Sequence, residues 1–146
     1  MIDNNEGLRE HLVLRVVAKL LIPVILIFAL YVQFHGDFGP GGGFQAGVIV
    51  GAAFILYTLV FGVDAAFLLL SPALLRIFVA SGVLIYAMTG VVTMLKGGEF
   101  LNYNVLSQDP LHGQHYGILI IELGVGITVF SVLVTIFYAF VSQTEN

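Results

Sequence analysis

A single carboxyl group lies inside a long apolar segment near the end of the chain. Glu122 follows four consecutive aliphatic residues, 118–121, and precedes Leu123. A carboxylate in the hydrocarbon core of a membrane costs at least about 2.5 kcal/mol, so we expect a partner or a water-filled cavity beside it. Such a group suits the exchange of protons or of a cation. The alternative interpretation is a protonated carboxyl group that hydrogen-bonds to a neighbouring helix and serves packing only.

Two histidines precede this carboxyl group. His115 stands seven residues before Glu122. At about 100° per residue it returns to nearly the same helix face, about 10 Å further along the axis. The spacing predicts an interfacial imidazole that relays protons to a deeper acid, and an ordinary interfacial histidine is the alternative. His112 is expected in the preceding loop, and without a third ligand the two histidines predict no metal site.

Lys19 is another charged residue at possible membrane depth. It stands four residues after Arg15, so both side chains share one helix face and can extend back to the headgroups. This interpretation is favoured over a place for Lys19 in an ion path. Asp37 and His35 flank a glycine-rich turn and could line an outer vestibule. The candidate residues for an ion path are Glu122, His115, Asp37 and Lys19.

The glycine-rich turn leads directly into an apolar run. Pro40 is followed by three glycines, and from Gly43 glycine recurs twice at four-residue spacing, at Gly47 and Gly51, on one helix face. In membranes this spacing lets a second backbone approach closely. No Gly-Lys-Ser/Thr follows, which excludes a Walker-type phosphate site. We predict a close-packing turn and helix face, with a turn that coordinates a passing ion as the alternative. The residues concerned are Pro40, Gly41, Gly42, Gly43, Phe44, Gln45, Gly47 and Gly51.

The composition is that of an integral membrane protein. Of 146 residues, 59% are hydrophobic and 10% are charged, whereas soluble domains are about half apolar and about a quarter charged. The absence of cysteine excludes disulfides, thiolate metal sites and cysteine nucleophiles. The net charge of −4 is spread over loops and ends, so nucleic acid is not an implied partner. No cofactor is predicted.

Four apolar stretches are each long enough to cross a membrane, which takes about 20 residues. They lie at about 12–34, 44–63, 73–95 and 116–141, between polar tails 1–11 and 142–146. The pattern predicts an all-α integral membrane protein with four transmembrane helices. Four of the five basic residues fall on one side, which predicts cytoplasmic N and C termini. They are Arg9, Arg15, Lys19 and Arg76. The glycine turn and the 96–115 loop would then face outward.

Three stretches of the sequence together carry a family resemblance. They are residues 36–47 (GDFGPGGGFQAG), 96–101 (KGGEFL) and 115–125 (HYGILIIELGV). They resemble the B subunit of Mrp-type (Mnh-type) sodium/proton antiporters. The resemblance spans roughly residues 12–141, with the stretches in the same order. Asp37 stands where many members have histidine, so no imidazole role is implied there. Glu122 stands where relatives often carry aspartate, which keeps the acid.

The resemblance implies a transporter subunit and not an enzyme. Such a subunit is an accessory part of a complex, in the inner membrane of a prokaryote, that exports Na+ in exchange for H+. Its partners would be the other antiporter subunits, the two ions and the lipid bilayer. Related subunits occur in membrane-bound hydrogenases. An ion-translocating subunit of such a redox complex, or a purely structural assembly subunit, therefore stays open as an alternative.

Overall fold

A computed structural model describes residues 4–36 and 41–144, and helices make up most of this part of the chain. They are α1 (Asn4–Phe34), α2 (Gly43–Phe61), α3 (Val63–Leu69), α4 (Pro72–Leu95) and α5 (Pro110–Thr144), with a 3-10 turn at Tyr103–Leu106. Four of them contain apolar segments long enough to span a membrane. These segments are Leu12–Phe34, Gly43–Phe61, Pro72–Leu95 and Pro110–Gln143. The predicted all-α fold with four transmembrane helices is confirmed.

Local sequence signals set the ends of α2 and α4. α2 ends before Gly62, whose φ of 96° is a left-handed conformation that glycine adopts without strain. α4 begins after Ser71, whose hydroxyl accepts a hydrogen bond from the N–H of Leu74 at 3.3 Å. Pro72 occupies the start of α4, where its missing N–H costs nothing. The connection between α2 and α4 holds the short helix α3.

α5 begins earlier than the apolar pattern suggests. The expected fourth span starts at about residue 116, but the helix starts at Pro110. The carboxylate of Asp109 accepts a hydrogen bond from the N–H of Leu111 at 3.0 Å, which stabilises this earlier first turn. His112 therefore lies in α5 and not in the loop, with its Nδ1 3.1 Å from the Asp109 carboxylate.

α5 is the central helix of the bundle. α2 packs against one part of its surface and α4 against another, while α1 packs chiefly on α2 and meets α5 over a small area. α2 and α5 run parallel, since Gly43 faces Glu122 and Gly47 faces Gly126, one turn further along both helices. Because α5 carries contacts on several sides, glycines are needed on more than one of its faces.

The tightest apolar packing lies where α3 and α4 meet the last turns of α5. Ala66, Leu75 and Val134 are almost fully buried there. Tyr138 donates its hydroxyl to the carbonyl oxygen of Leu70 at 3.2 Å, so its ring is buried while its polar end is satisfied. Elsewhere many large apolar side chains are exposed, as suits a surface that contacts lipid or other subunits.

The connection between α4 and α5 folds back onto the bundle. Thr93 shares its hydroxyl hydrogen between a carbonyl of its own helix and that of Glu99, 3.1 Å away, and accepts from the N–H of Leu101 at 3.0 Å. The ring of Tyr103 lies against Gly117 of α5, where a Cβ would collide with it. The connection is therefore held to both helices that it joins.

Candidate functional site

The carboxyl group of Glu122 lies in the turn between α1 and α2. A Cβ placed on Gly42 would be 2.6 Å from its Oε1, and one placed on Gly36 would be 2.7 Å from its Oε2. Real Cβ atoms essentially never come within 3.0 Å of such neighbours. Gly42 also has a φ of 108°, a conformation that glycine adopts readily and other residues rarely do. Glycine at both positions therefore leaves the room that the carboxyl group occupies.

The backbone of α2 begins directly against Glu122. A Cβ on Gly43 would lie 2.8 Å from the Cα of Glu122 and closer still to its carbonyl group. The first N–H groups of a helix have no partner within the helix, and this end carries a partial positive charge of about +0.5. Glu122 therefore places a carboxyl group beside a helix end that favours negative charge.

The register of the helices places Glu122 towards one end of the bundle. It faces the first residue of α2, so the whole length of α2 lies to one side of it. On the other side α5 continues for about three turns to Pro110. Glu122 is half-buried. The acid is thus close to the end of the bundle that carries the α1–α2 turn.

Gln33, a buried amide that sequence reasoning missed, lies beside this turn. Its side chain is 7% exposed, and its Nε2 has no hydrogen-bond partner within the described part of the chain. Its Oε1 is 3.0 Å from the position that a Cβ on Gly126 would take, one turn along α5 from Glu122. The sequence feature that could have pointed to Gln33 is that it is a polar amide within the apolar segment Leu12–Phe34.

His115 lies on α5, two turns from Glu122 towards the α4–α5 connection. Its side chain is exposed, and its ring centroid is 6.2 Å from that of Tyr116. The helix spacing therefore puts the imidazole and the acid on one helix, about 10 Å apart along its axis. No group of three His, Asp or Glu residues among those described is arranged to hold a metal ion.

Lys19 lies away from the acid. The carbonyl of Val32 on α1 accepts a hydrogen bond from the N–H of Gly42 at 3.0 Å, which fixes the end of α1 beside the turn. Lys19 is thirteen residues earlier, or about 20 Å along the helix. Its side chain is exposed. Two other candidates, Asp37 and Pro40, fall outside the described residues.

The glycine face of α2 packs on α5. A Cβ on Gly47 would lie 2.6 Å from the carbonyl oxygen of Gly126 and 3.0 Å from the Cβ of Val129, whereas one on Gly51 would meet the end of the Leu133 side chain. Gly47 is thus in contact with backbone and Gly51 with a flexible side chain. This contact is between two helices of the same chain.

The remaining turn residues divide into two groups. A Cβ on Gly41 would lie 2.8 Å from the carbonyl oxygen of Val32, so this glycine also belongs to the close-packed turn. Phe44 is 61% exposed, and Gln45 is also exposed. Phe44 and Gln45 therefore point away from the packed face that their sequence neighbours form.

A second glycine contact joins α4 to α5. A Cβ on Gly82 would lie 2.6 Å from the carbonyl oxygen of Gly124, and one on Gly124 would lie 2.9 Å from the carbonyl oxygen of Gly82. The two backbones approach each other directly. Glycines of α5 that are two residues apart, Gly124 and Gly126, therefore face different helices.

Comparison with known proteins identifies relatives that match most of the membrane domain. Residues 13–135 match a family described as "Domain related to MnhB subunit of Na+/H+ antiporter". Proteins named "Putative antiporter subunit mnhB2" from Staphylococcus aureus strains Newman and JH1 are each 38% identical to this chain over 130 residues. Each alignment covers 87% of this chain and 92% of the relative.

The matched range includes the α1–α2 turn and Glu122, together with most of every spanning helix. It covers well over half of the chain, and the identity extends over almost the full length of the relatives. The resemblance noted in the sequence is confirmed: the chain belongs to the family of domains related to the MnhB subunit of Na+/H+ antiporters.

Proposed function

We propose that this chain is an accessory subunit of a multisubunit Na+/H+ antiporter in the cell membrane of a prokaryote. The family and the names of the relatives support the antiporter, and the four apolar helices support a multi-pass membrane protein. The observation that carries a role in ion movement is the carboxyl group of Glu122 in the space left by Gly36 and Gly42. At this site Glu122 takes up and releases a proton or a cation.

A packing role alone would not require this arrangement. An apolar side chain would fill a helix contact without the cost of a carboxyl group near hydrocarbon. Glu122 is only half-buried, and it lies where the bundle ends and the turn begins, so ions can approach it. The start of α2 favours negative charge beside it, and a negative group with access to water exchanges protons and cations.

The rest of the chain supports an accessory role. The hydroxyl groups of Thr128, Ser131 and Thr135 on α5 each donate to a carbonyl oxygen of the same helix, at 2.7–2.9 Å. The hydrogen atoms of these three hydroxyl groups are therefore already engaged in hydrogen bonds within α5. Within the described spans no second carboxyl group lies deeper than Glu122. We propose that partner subunits supply the remainder of the ion path.

The test replaces the acid by its amide. Glu122→Gln keeps the shape and hydrogen-bonding capacity but removes titration, so the complex should assemble while Na+-driven proton movement falls to a small fraction of the original. Glu122→Asp should keep part of the activity because the acid remains. Antiport is measured in everted membrane vesicles across a pH series, after equal amounts of complex are confirmed.

Glu99→Gln is the matched control. It makes the same chemical change at an exposed position in the α4–α5 connection, and it should leave antiport unchanged. Full activity with an unchanged pH profile in Glu122→Gln would reduce Glu122 to a packing residue and favour a structural subunit.

A further inference from the structure

A surface groove runs along the contact between α4 and α5. Two spaces with volumes of about 380 and 230 Å³ form it, and both are bounded by these two helices alone. On α4 the lining residues recur every three or four positions, which places them on one helix face and makes the two spaces continuous. They are Arg76, Ala80, Val83 and Tyr86, and residues between 124 and 136 of α5 form the opposite wall.

The walls of this groove are open to molecules outside the chain. Val83 and Ile136 are 55% and 50% exposed, and Val132 between them is also exposed. From Arg76 to Tyr86 the groove extends over ten residues, or about 15 Å. The hydrocarbon core of a membrane is about 30 Å thick, so the groove has the length of one leaflet.

The charge of the groove is confined to one end. Arg76 lies in the second turn of α4 and is exposed, and within the described residues its guanidinium group has neither an ion pair nor a hydrogen bond. Along the wall, the hydroxyl groups of Thr128 and Thr135 donate to carbonyl oxygens of α5 itself, at 2.9 and 2.7 Å. A guanidinium group offers five donors, which suit the oxygen atoms of a phosphate group. The groove therefore combines an anion-binding group at one end with apolar walls along its length.

We propose that this groove binds an anionic phospholipid of the leaflet on the Arg76 side. The phosphate group lies on Arg76, and an acyl chain lies between α4 and α5. Basic pockets between membrane helices bind lipid headgroups in this way. The groove matches the molecule in its parts: a positive charge at the headgroup and apolar contact over the depth of one leaflet. The inference goes beyond the proposed function, and it does not depend on ion exchange at Glu122.

Phosphatidylglycerol with a photoreactive diazirine in its acyl chain tests the site. The complete complex is reconstituted in phosphatidylcholine vesicles that contain a trace of this lipid, irradiated and digested, and the labelled peptides of this chain are identified by mass. Labelling of the groove walls, residues 76–86 and 124–136, should exceed that of the exposed positions of α1 several-fold. Photoreactive phosphatidylcholine with the same acyl chain should label the walls less, because its headgroup has no net charge. Equal labelling of all exposed helix faces would overturn the inference.

The part played by the charge is tested by Arg76→Gln. One basic residue at an anionic membrane surface corresponds to about a fivefold change in binding, so the groove adduct should fall about fivefold per assembled complex. Arg76→Lys keeps the charge and should retain most of the adduct. Arg15→Gln makes the same change at an exposed position of α1, outside the groove, and should leave the adduct unchanged. Equal adducts in Arg76→Gln and Arg15→Gln would deny Arg76 this role.

The part played by the apolar walls is tested by filling them. Ala80→Trp places a ring in the groove and should lower the adduct several-fold, whereas Ala52→Trp makes the same change at an exposed position of α2 and should not. Benzoylphenylalanine in place of Val83 identifies the occupant in the native membrane, where the expected adduct is with phospholipid. An adduct with another subunit, or with a second copy of this chain, would make the groove a protein contact and overturn the inference. The proposed function would stand in that case, since it is judged by antiport in Glu122→Gln.

Discussion

Two glycines of this chain share an unusual backbone conformation but differ in what surrounds them. Gly42 and Gly62 have φ angles of 108° and 96°, both strained for a residue with a Cβ. A Cβ on Gly62 would meet nothing within 4 Å, whereas one on Gly42 would lie 2.6 Å from Oε1 of Glu122. Comparing the two positions therefore separates backbone strain from displacement of the acid.

Both Gly42→Ala and Gly62→Ala should lose about 1–3 kcal/mol of stability, because a positive φ combined with a ψ near 180° is a backbone conformation that residues other than glycine rarely adopt. Only Gly42→Ala should also lose most of the antiport activity, because the new methyl group pushes the carboxyl group out of the turn. Unfolding of the purified chain in detergent gives the first quantity, and vesicle antiport gives the second. Equal activity in the two variants would contradict the proposed link between the turn and the acid.

The contact between Gly42 and Glu122 predicts coupling in a double variant. Glu122→Asp shortens the side chain by one methylene and withdraws the carboxyl group from Gly42. Antiport by Gly42→Ala/Glu122→Asp should therefore exceed that of Gly42→Ala alone, since residues in contact are not additive. Strict additivity of the two losses, measured in the same vesicles, would show that they act separately.

The sequence indicated both halves of this site but not their contact. Glu122 is conspicuous as an acid in an apolar segment, and Gly42 as part of a glycine run. Their meeting depends on the parallel register of α2 and α5, which is set by packing between residues far apart in the chain. Gln33 was missed because an amide near the end of a span looks like an ordinary interfacial residue until its burial is known.

At the scale of the helices, the glycine face of α2 makes two unequal contacts with α5. Gly47 faces the carbonyl oxygen of Gly126, which cannot move without shifting the helix, whereas Gly51 faces the flexible end of Leu133. The four-residue spacing predicted a shared face for both glycines but gave no indication of this difference. The identity of the opposing atom decides how large a side chain each of the two positions tolerates.

Gly51→Ala should be nearly neutral, because rotation of Leu133 makes room and alanine gains up to about 1 kcal/mol of helix propensity over glycine. Gly47→Ala should lower the free energy of unfolding by about 1–3 kcal/mol through overpacking. Gly47→Leu, which adds more bulk, should prevent assembly of the antiporter complex. Ala52→Leu, at an exposed position of the same helix, is the control for added bulk. Thermal stability in detergent gives the order, and a Gly47→Ala variant as stable as Gly51→Ala would contradict it.

Hydropathy predicted the spanning helices, while capping determined where they end. The fourth apolar stretch begins at about residue 116, but α5 begins earlier, at Pro110, because a capping carboxylate from Asp109 and a proline suit a first turn. Likewise, α3 forms in the connection between α2 and α4, where hydropathy indicates only a break between two apolar stretches. Such short elements depend on local hydrogen bonds and on packing against the bundle, as with Ala66 on the core around Val134.

At the scale of the whole molecule, the two ends of the bundle differ in charge. The α1–α2 turn, Glu122 and the α4–α5 connection are at one end, while Arg15 and Arg76 lie towards the other. Basic residues are retained on the cytoplasmic side of membranes, so the acid is expected to face the outer side. Proton or cation exchange at Glu122 would then take place with the outer solution.

A chain without cysteine allows this orientation to be measured directly. Gln108→Cys in the α4–α5 connection and Gln143→Cys near the end of α5 both replace exposed glutamines. An impermeant thiol reagent added to intact cells should label position 108 and spare position 143, which should react only after the membrane is opened. The reverse pattern would invert the topology, and Glu122 would then exchange ions with the cytoplasm. Labelling of both positions in opened membranes ensures that a lack of reaction in intact cells reports sidedness and not burial.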